Sequence, residues 1–324
     1  LIKSIIPADS LNQIFGDPGS MKSFLAIDMT ACIATGSSFY GMKTKQAPVI
    51  FIAGEGFNGL KMRFMAWSIK NQISLDDAPI YLSSVPVSIG NPESIEAALS
   101  VIDQITILNG TPALIVIDTV ARNFGNGDEN STKDMNAFIN GCDTIRAKYN
   151  CAVLLVHHSG HADKNRGRGA MALLAALDTA YKAYKDENDI LRFECTKMKD
   201  GQKSKLAFTV HTVELGITDE EDEPLSSVAL NRTEYEAPPK KGKQGRGKNQ
   251  SLAITILNDL YQQHREHLES GGYDPDNAKV KESDWIDACY DTGIEQSSFR
   301  KLKQALILQE KINIENGYVF LGKK

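Results

Sequence analysis

Cysteine is scarce in this chain and widely scattered. Its five residues are Cys32, Cys142, Cys151, Cys195 and Cys289, and no C-x-x-C occurs. That excludes a zinc ribbon and a disulfide framework and fits a reducing cytoplasm. Tryptophan occurs twice and aromatics make up 7% of the residues. No uninterrupted apolar run is long enough to span a bilayer and no signal-peptide pattern occurs, so no membrane partner is expected. The balance of charge is mildly acidic at −5, so any contact with nucleic acid must come from local basic patches. The first residue is Leu1 rather than methionine, which raises the expectation of a longer protein with a domain ahead of it.

What is present is ordinary for a globular protein, with 42% hydrophobic and 24% charged residues among 324. The length suits one large domain and a small one. Besides the apolar run Leu11 to Phe15, short runs apolar on both faces recur: Val49 to Ala53, Leu114 to Ile117 and Ala152 to Val156. Such runs read as buried parallel strands. Helical patterns over Leu60 to Asn71, Ser94 to Leu108 and Asp134 to Lys148 lie between them. Alternation of this kind predicts an α/β core with a mostly parallel central sheet and crossover helices. Arg192 to Lys197 and Leu206 to Leu215 read as further, antiparallel strands, and the acidic cluster Asp219 to Glu223 as a break after them.

The most informative stretch runs Gly16, Asp17, Pro18, Gly19, Ser20, Met21, Lys22, Ser23, Phe24. It stands between an apolar strand and an amphipathic helix over Phe24 to Ala34. A glycine-rich turn there aims backbone N–H groups at a phosphate, with the helix N-terminus behind it. Lys22 would reach the β- and γ-phosphates and Ser23 would hold Mg²⁺, which implies ATP as the ligand. Met21 departs from the usual pattern, which has glycine before the lysine. A Gly/Pro turn with no ligand is the plain alternative.

Other candidates stand at strand ends, where α/β sheets bind ligands. Glu55, between Gly54 and Gly56, could polarise the water that attacks the γ-phosphate, or simply face solvent. Asp118 closes an apolar run and is a candidate Mg²⁺ ligand. His157 and His158 leave the fourth run as γ-phosphate sensor, metal ligands or buried side chains. Two polar loops follow, Gly125 to Ser131 and the basic Gly160 to Ala170 with Lys164, Arg166 and Arg168. Lys197 and Lys199 stand at a strand end just before a tight Asp-Gly turn, solvated or reaching a neighbouring subunit.

The ordered set GDPGSMKS, FIAGEG, LIVIDTVARNFGNGDENSTKDM, LLVHHSG, GRGAMALLAALDTAY and TKMKDG resembles the RepA-like hexameric helicases. These are a RecA-type P-loop ATPase family of plasmids, phages and mobile elements, and the resemblance covers roughly residues 5 to 215. It implies a RecA-like fold and a homohexameric ring that hydrolyses ATP between subunits and grips single-stranded DNA. By position it implies phosphate and Mg²⁺ binding by Lys22 and Ser23, catalytic base Glu55, Walker B acid Asp118 and γ-phosphate sensor His158. Arg168 matches an arginine finger, and Lys197 with Lys199 match paired trans cations; the two compete for one role. Few aromatics are placed to stack bases, Phe124 being nearest, so grip should be electrostatic.

The segment from Pro238 to Lys248 is rich in Pro, Gly, Lys and Arg and reads as a flexible basic linker. The expected division is an ATPase domain over 1–236, a linker over 237–249 and a winged-helix-like domain over 250–324. That last part shows three helical patterns, with Ser283 as cap of the second, and then two short strands around Gly317. Its third helix carries Arg300, Lys301 and Lys303, suited to DNA phosphates, or else serves assembly. The leading expectation is an ATP-dependent DNA helicase in replication of a mobile element. The alternatives are an ATP-dependent DNA-binding regulator or loader, and a nucleotide-binding fold without hydrolysis.

Overall fold

A computed structural model describes residues 1–54, 56–160, 166–236, 248–270, 273–292 and 294–322. The chain divides into two units, Leu1–Pro238 and Pro239–Lys324. In the first unit the elements run β1 (Leu11–Gly16), α1 (Lys22–Thr35), β2 (Val49–Ala53), α2 (Phe57–Asn71), β3 (Ile80–Ser83), α3 (Pro92–Asn109), β4 (Leu114–Asp118) and α4 (Val120–Asn123). They continue with α5 (Thr132–Tyr149), β5 (Ala152–His158), α6 (Met171–Ala176), β6 (Thr179–Lys185), β7 (Leu191–Met198), β8 (Lys205–Thr218) and β9 (Pro224–Thr233).

Among the described residues one nine-stranded sheet forms, in the order β3-β2-β4-β5-β1-β6-β7-β8-β9. The run from β3 to β6 is parallel, and β7, β8 and β9 are added antiparallel. Strand β5 thus separates the glycine-loop strand β1 from β4. The central strands are apolar on both faces because helices cover both. On one face α1 and α2 pack Leu25, Ile33, Leu60 and Phe64 against Ile14, Phe51, Val116 and Val156. On the other, α3 and α5 bring Ile95, Ile102, Phe138 and Ile145 against Phe15, Ile52, Ile117 and Leu155.

Helix starts follow local chemistry. Asn91 caps α3, its side chain accepting from the Ser94 N–H at 2.9 Å, with Pro92 in the first turn. Ser131 caps α5, accepting from the Asp134 N–H. The acidic cluster Asp219 to Glu223 is no break in the fold. It is the turn of the β8–β9 hairpin, where the Asp219 carboxylate accepts from the Glu221 and Glu223 N–H groups.

The second unit holds α7 (Lys248–Ser270), β10 (Val280–Lys281), α8 (Glu282–Asp291), α9 (Gln296–Leu308), β11 (Ile312–Glu315) and β12 (Tyr318–Leu321). A three-stranded sheet, β10-β12-β11, packs with these helices around Trp285, Phe299, Leu257, Leu306 and Val319. Ser283 does not cap α8: the cap position is Lys281, and the Ser283 hydroxyl donates to Asp284. Among the described residues no helix is long and apolar enough to cross a membrane.

Candidate functional site

The glycine loop joins β1 to α1, at the carboxyl edge of the parallel strands. At Gly16, the last residue of β1, the neighbouring β6 backbone leaves no room for a side chain. A Cβ there would stand 2.1 Å from the Ala183 carbonyl oxygen and 2.5 Å from Ser20 Oγ. Met21, in the place usually held by glycine, takes the left-handed conformation with φ 60° and ψ 23°. The turn therefore keeps the geometry that glycine favours, at a cost of about 1 kcal/mol. No side chain caps α1 and its first turn holds no acid, so its leading N–H groups remain for an anion.

Lys22 is the first residue of α1 and is 6% exposed. Its ammonium donates to the Asp17 carbonyl at 2.8 Å and to Ser20 Oγ at 3.4 Å. Burial pushes its pKa down, opposed by the carboxylates of Asp118 and Asp17. A buried cation beside uncapped N–H groups fits a polyphosphate. Ser23 and Asp118 are the residues that would hold its Mg²⁺, a hard cation that takes oxygen ligands. Phe24 and Ser23 are both half-buried in the first turn of α1.

Neighbouring strand ends converge here. Ala53 pairs with Asp118 and Gly16 with His158, and the Gly54 N–H donates to the Asp118 carbonyl at 2.7 Å. Strand parity places Asp118 on the α1 face, since Leu114 and Val116 pack there and Ile115 and Ile117 pack opposite. Glu55 lies outside the described residues, as does Lys164. Among the described residues no three His, Cys, Asp or Glu side chains group to hold a metal.

Strand β5 divides its last residues between two environments. Val156 packs on the α1 face, and His158 follows it in parity. Just beyond, the Ser159 hydroxyl donates to the Asp17 carboxylate and its N–H to the Gly16 carbonyl at 3.1 Å. His157 points the other way and is fully buried. Its Nε2 donates to the Arg168 carbonyl at 2.9 Å and stands 3.9 Å from Glu129 Oε2. Burial pushes its pKa down to about 4, so the ring is neutral at pH 7 and the Glu129 contact is not an ion pair.

The loops that follow α4 and β5 meet at Glu129. Its carboxylate accepts from Arg168 Nε at 2.7 Å, and its carbonyl accepts from the Ala170 N–H at 2.9 Å. Gly169 permits this with φ +97°, where a Cβ would stand 2.6 Å from the Glu129 carbonyl oxygen. Arg166 folds over the same loop and donates to the Gly169 carbonyl at 2.7 Å. Phe124 does not face a ligand: it is buried and stacks on Phe138.

The two lysines at the end of β7 have partners in their own chain. Lys197 donates to the Leu174 and Ala175 carbonyls of α6 at 2.6 and 3.0 Å. Lys199 meets Asp178 at 2.8 Å. In the second unit Arg300 and Lys301 are exposed on α9, while Lys303 pairs with Glu282 at 2.6 Å. Glu129, Ser159 and Asp178 carry no motif signal. A carboxylate in a Gly/Asn/Asp loop reads as solvated, and its burial comes from β5 and Gly169, distant in sequence.

The solved structure of another protein's ATPase domain is similar at 12% identity, covering 62% of this chain and 82% of that one, with a TM-score of 0.49. No curated protein matches this chain. A family model described as an AAA domain matches residues 1–164, half of the molecule and the part that holds the glycine loop, Asp118 and β5. On that match, the chain belongs to this AAA-domain family of ATPases.

Proposed function

We propose that the chain is an ATP-driven DNA helicase or translocase of RepA-like type. It works as a hexameric ring in replication of a mobile element. The observation that carries this reading is strand β5. Its end touches the phosphate loop through Ser159 and, on the opposite face, two polar loops through His157. A change in the phosphate site is thereby felt at loops able to grip a polyanion. In this reading Lys22 and Ser23 bind ATP and Mg²⁺, Asp118 is the Walker B acid, Glu55 is the catalytic base and His158 senses the γ-phosphate. Arg168 is favoured over Lys197 and Lys199 as the trans cation, because its pairing with Glu129 uses Nε alone, whereas the single ammonium of Lys197 serves the α6 carbonyls and that of Lys199 pairs with Asp178.

The expected domains are an ATPase over 1–236, a basic linker over 237–249 and a winged-helix domain over 250–324. Helix, strand, two helices and a hairpin follow one another in the second unit, the winged-helix order. Helix α9 carries Arg300, Lys301 and Lys303 and no carboxylate, which suits DNA phosphates. That unit also favours the second reading, an ATP-dependent DNA-binding regulator or loader.

The test is steady-state ATP hydrolysis with and without single-stranded DNA, wild type beside Lys22→Ala. Turnover stimulated by DNA and abolished by the substitution supports the motor, and strand displacement then separates motor from loader. Turnover indifferent to DNA overturns the motor. Glu55→Gln should lower turnover by orders of magnitude while ATP still binds; unchanged turnover would remove Glu55 from the reaction.

A further inference from the structure

Glu129 is 7% exposed, in a loop whose other acid, Asp128, is exposed. A buried carboxylate is stable only when paired, and among the described residues the cation that Glu129 meets is Arg168. The pairing uses Nε alone, while 39% of the Arg168 side chain stays in contact with solvent. Among the described residues the outer guanidinium nitrogens make no hydrogen bond. The backbone is pinned as well, because the Arg168 carbonyl accepts from His157 and its N–H donates to the His158 carbonyl at 2.8 Å. The guanidinium is thus gripped at its inner edge and presented by its outer edge. The outer nitrogens form a fork that matches two oxygens of a phosphate.

We propose that Glu129 is a positioning residue, which orients Arg168 so that its outer nitrogens meet a phosphate group. The inference rests on the ATPase reading above and adds to it a residue that touches neither nucleotide nor DNA. The phosphate has two possible sources, a nucleotide bound by a neighbouring copy or the backbone of single-stranded DNA. Fixing the fork beforehand removes the ordering cost from the binding or reacting step.

The test is a double-mutant cycle in the full chain: Glu129→Gln, Arg168→Ala and the pair. Two quantities are read, kcat and KM for ATP at saturating single-stranded oligonucleotide, and oligonucleotide affinity by fluorescence anisotropy. Glu129→Gln should lower one of them about tenfold, and by less than twofold once Arg168 is alanine. A loss confined to kcat assigns the phosphate to the nucleotide; a loss confined to anisotropy assigns it to DNA. Multiplying losses in the pair, or no change in either quantity, overturn the proposal. Arg168→Lys guards against a folding defect at the buried site, since it keeps a cation beside the buried Glu129 carboxylate. It keeps the charge and loses the fork, and should behave as Arg168→Ala; wild-type behaviour overturns the proposal. Should Lys22→Ala leave turnover unchanged, the ATPase reading fails and the anisotropy cycle alone decides for or against Glu129.

Discussion

Two buried titratable residues set opposite dependences of stability on pH. Asp28 lies in α1, and burial raises its pKa to about 7. The Tyr40 hydroxyl has one proton and faces two acceptors, the Asp28 carboxylate and the Leu230 carbonyl. A protonated Asp28 satisfies both, by donating to Tyr40 while Tyr40 donates to Leu230. A raised acid contributes stability that is whole below its unfolded pKa, near 3.8, and is lost as pH climbs through about 7. Asp28→Asn keeps the donor and removes the charge. Relative to wild type it should gain up to about 4 kcal/mol between those limits, as measured by urea unfolding across pH. A constant difference would mean that Asp28 does not titrate there. His157 runs the other way: its pKa is depressed to about 4, so stability is whole above 6.5 and is lost as pH falls toward 4. His157→Gln should flatten that acid limb by roughly 3 kcal/mol. The two slopes oppose each other between about 4 and 6.5, so each becomes visible only in the variant lacking the other.

At the scale of elements, the β6–β7 hairpin depends on one ion pair. Asp186 accepts from Arg192 Nε and Nη2, both at 2.7 Å, and from the Asn188 and Ile190 N–H groups. Both side chains are nearly buried. Asp186→Ala strands the guanidinium and should cost about 3 kcal/mol in chemical denaturation. Arg192→Met with Asp186→Leu should recover much of that loss. Little recovery would point to the turn hydrogen bonds as the larger contribution.

Elements were legible in the sequence in proportion to their burial. Val49 to Ala53, Leu114 to Ile117 and Ala152 to Val156 are apolar on both faces, and each is a central parallel strand. Strand β3 was missed because it is a half-buried edge. Strand β6, with the sequence TAYKAYK, was missed because it has no apolar run, its lysines and Tyr184 being only half-buried. Strand β9 was missed because PLSSVALNRT has no apolar run and owes its conformation to pairing with β8. The glycine loop was legible as a motif because its chemistry is local. Glu129 was not, because its burial is made by His157 and Gly169, residues far along the chain that say nothing about it locally.

At the scale of the molecule, each unit has a core of its own. The second buries Ala253, Leu257, Trp285, Phe299, Leu306 and Val319 among themselves, and the Trp285 indole donates to the Ala253 carbonyl at 2.8 Å. A polypeptide of residues 248–322 should therefore fold alone, with a stability of only a few kcal/mol for so short a chain. A dispersed amide spectrum and a cooperative melt are the expected results; a random-coil spectrum would show that the core needs the first unit.

All five cysteines are buried, and burial raises the pKa of every thiol. The native chain should therefore resist maleimide even though every thiol is reduced. Four of the thiols belong to the first unit and Cys289 alone to the second. Under a constant excess of reagent, the mass of the labelled chain becomes a record of which unit has opened. Molecules carrying one adduct report excursions of the smaller unit and those carrying four report the larger. The ratio of their rates measures the two opening free energies in one sample, without a probe having been introduced.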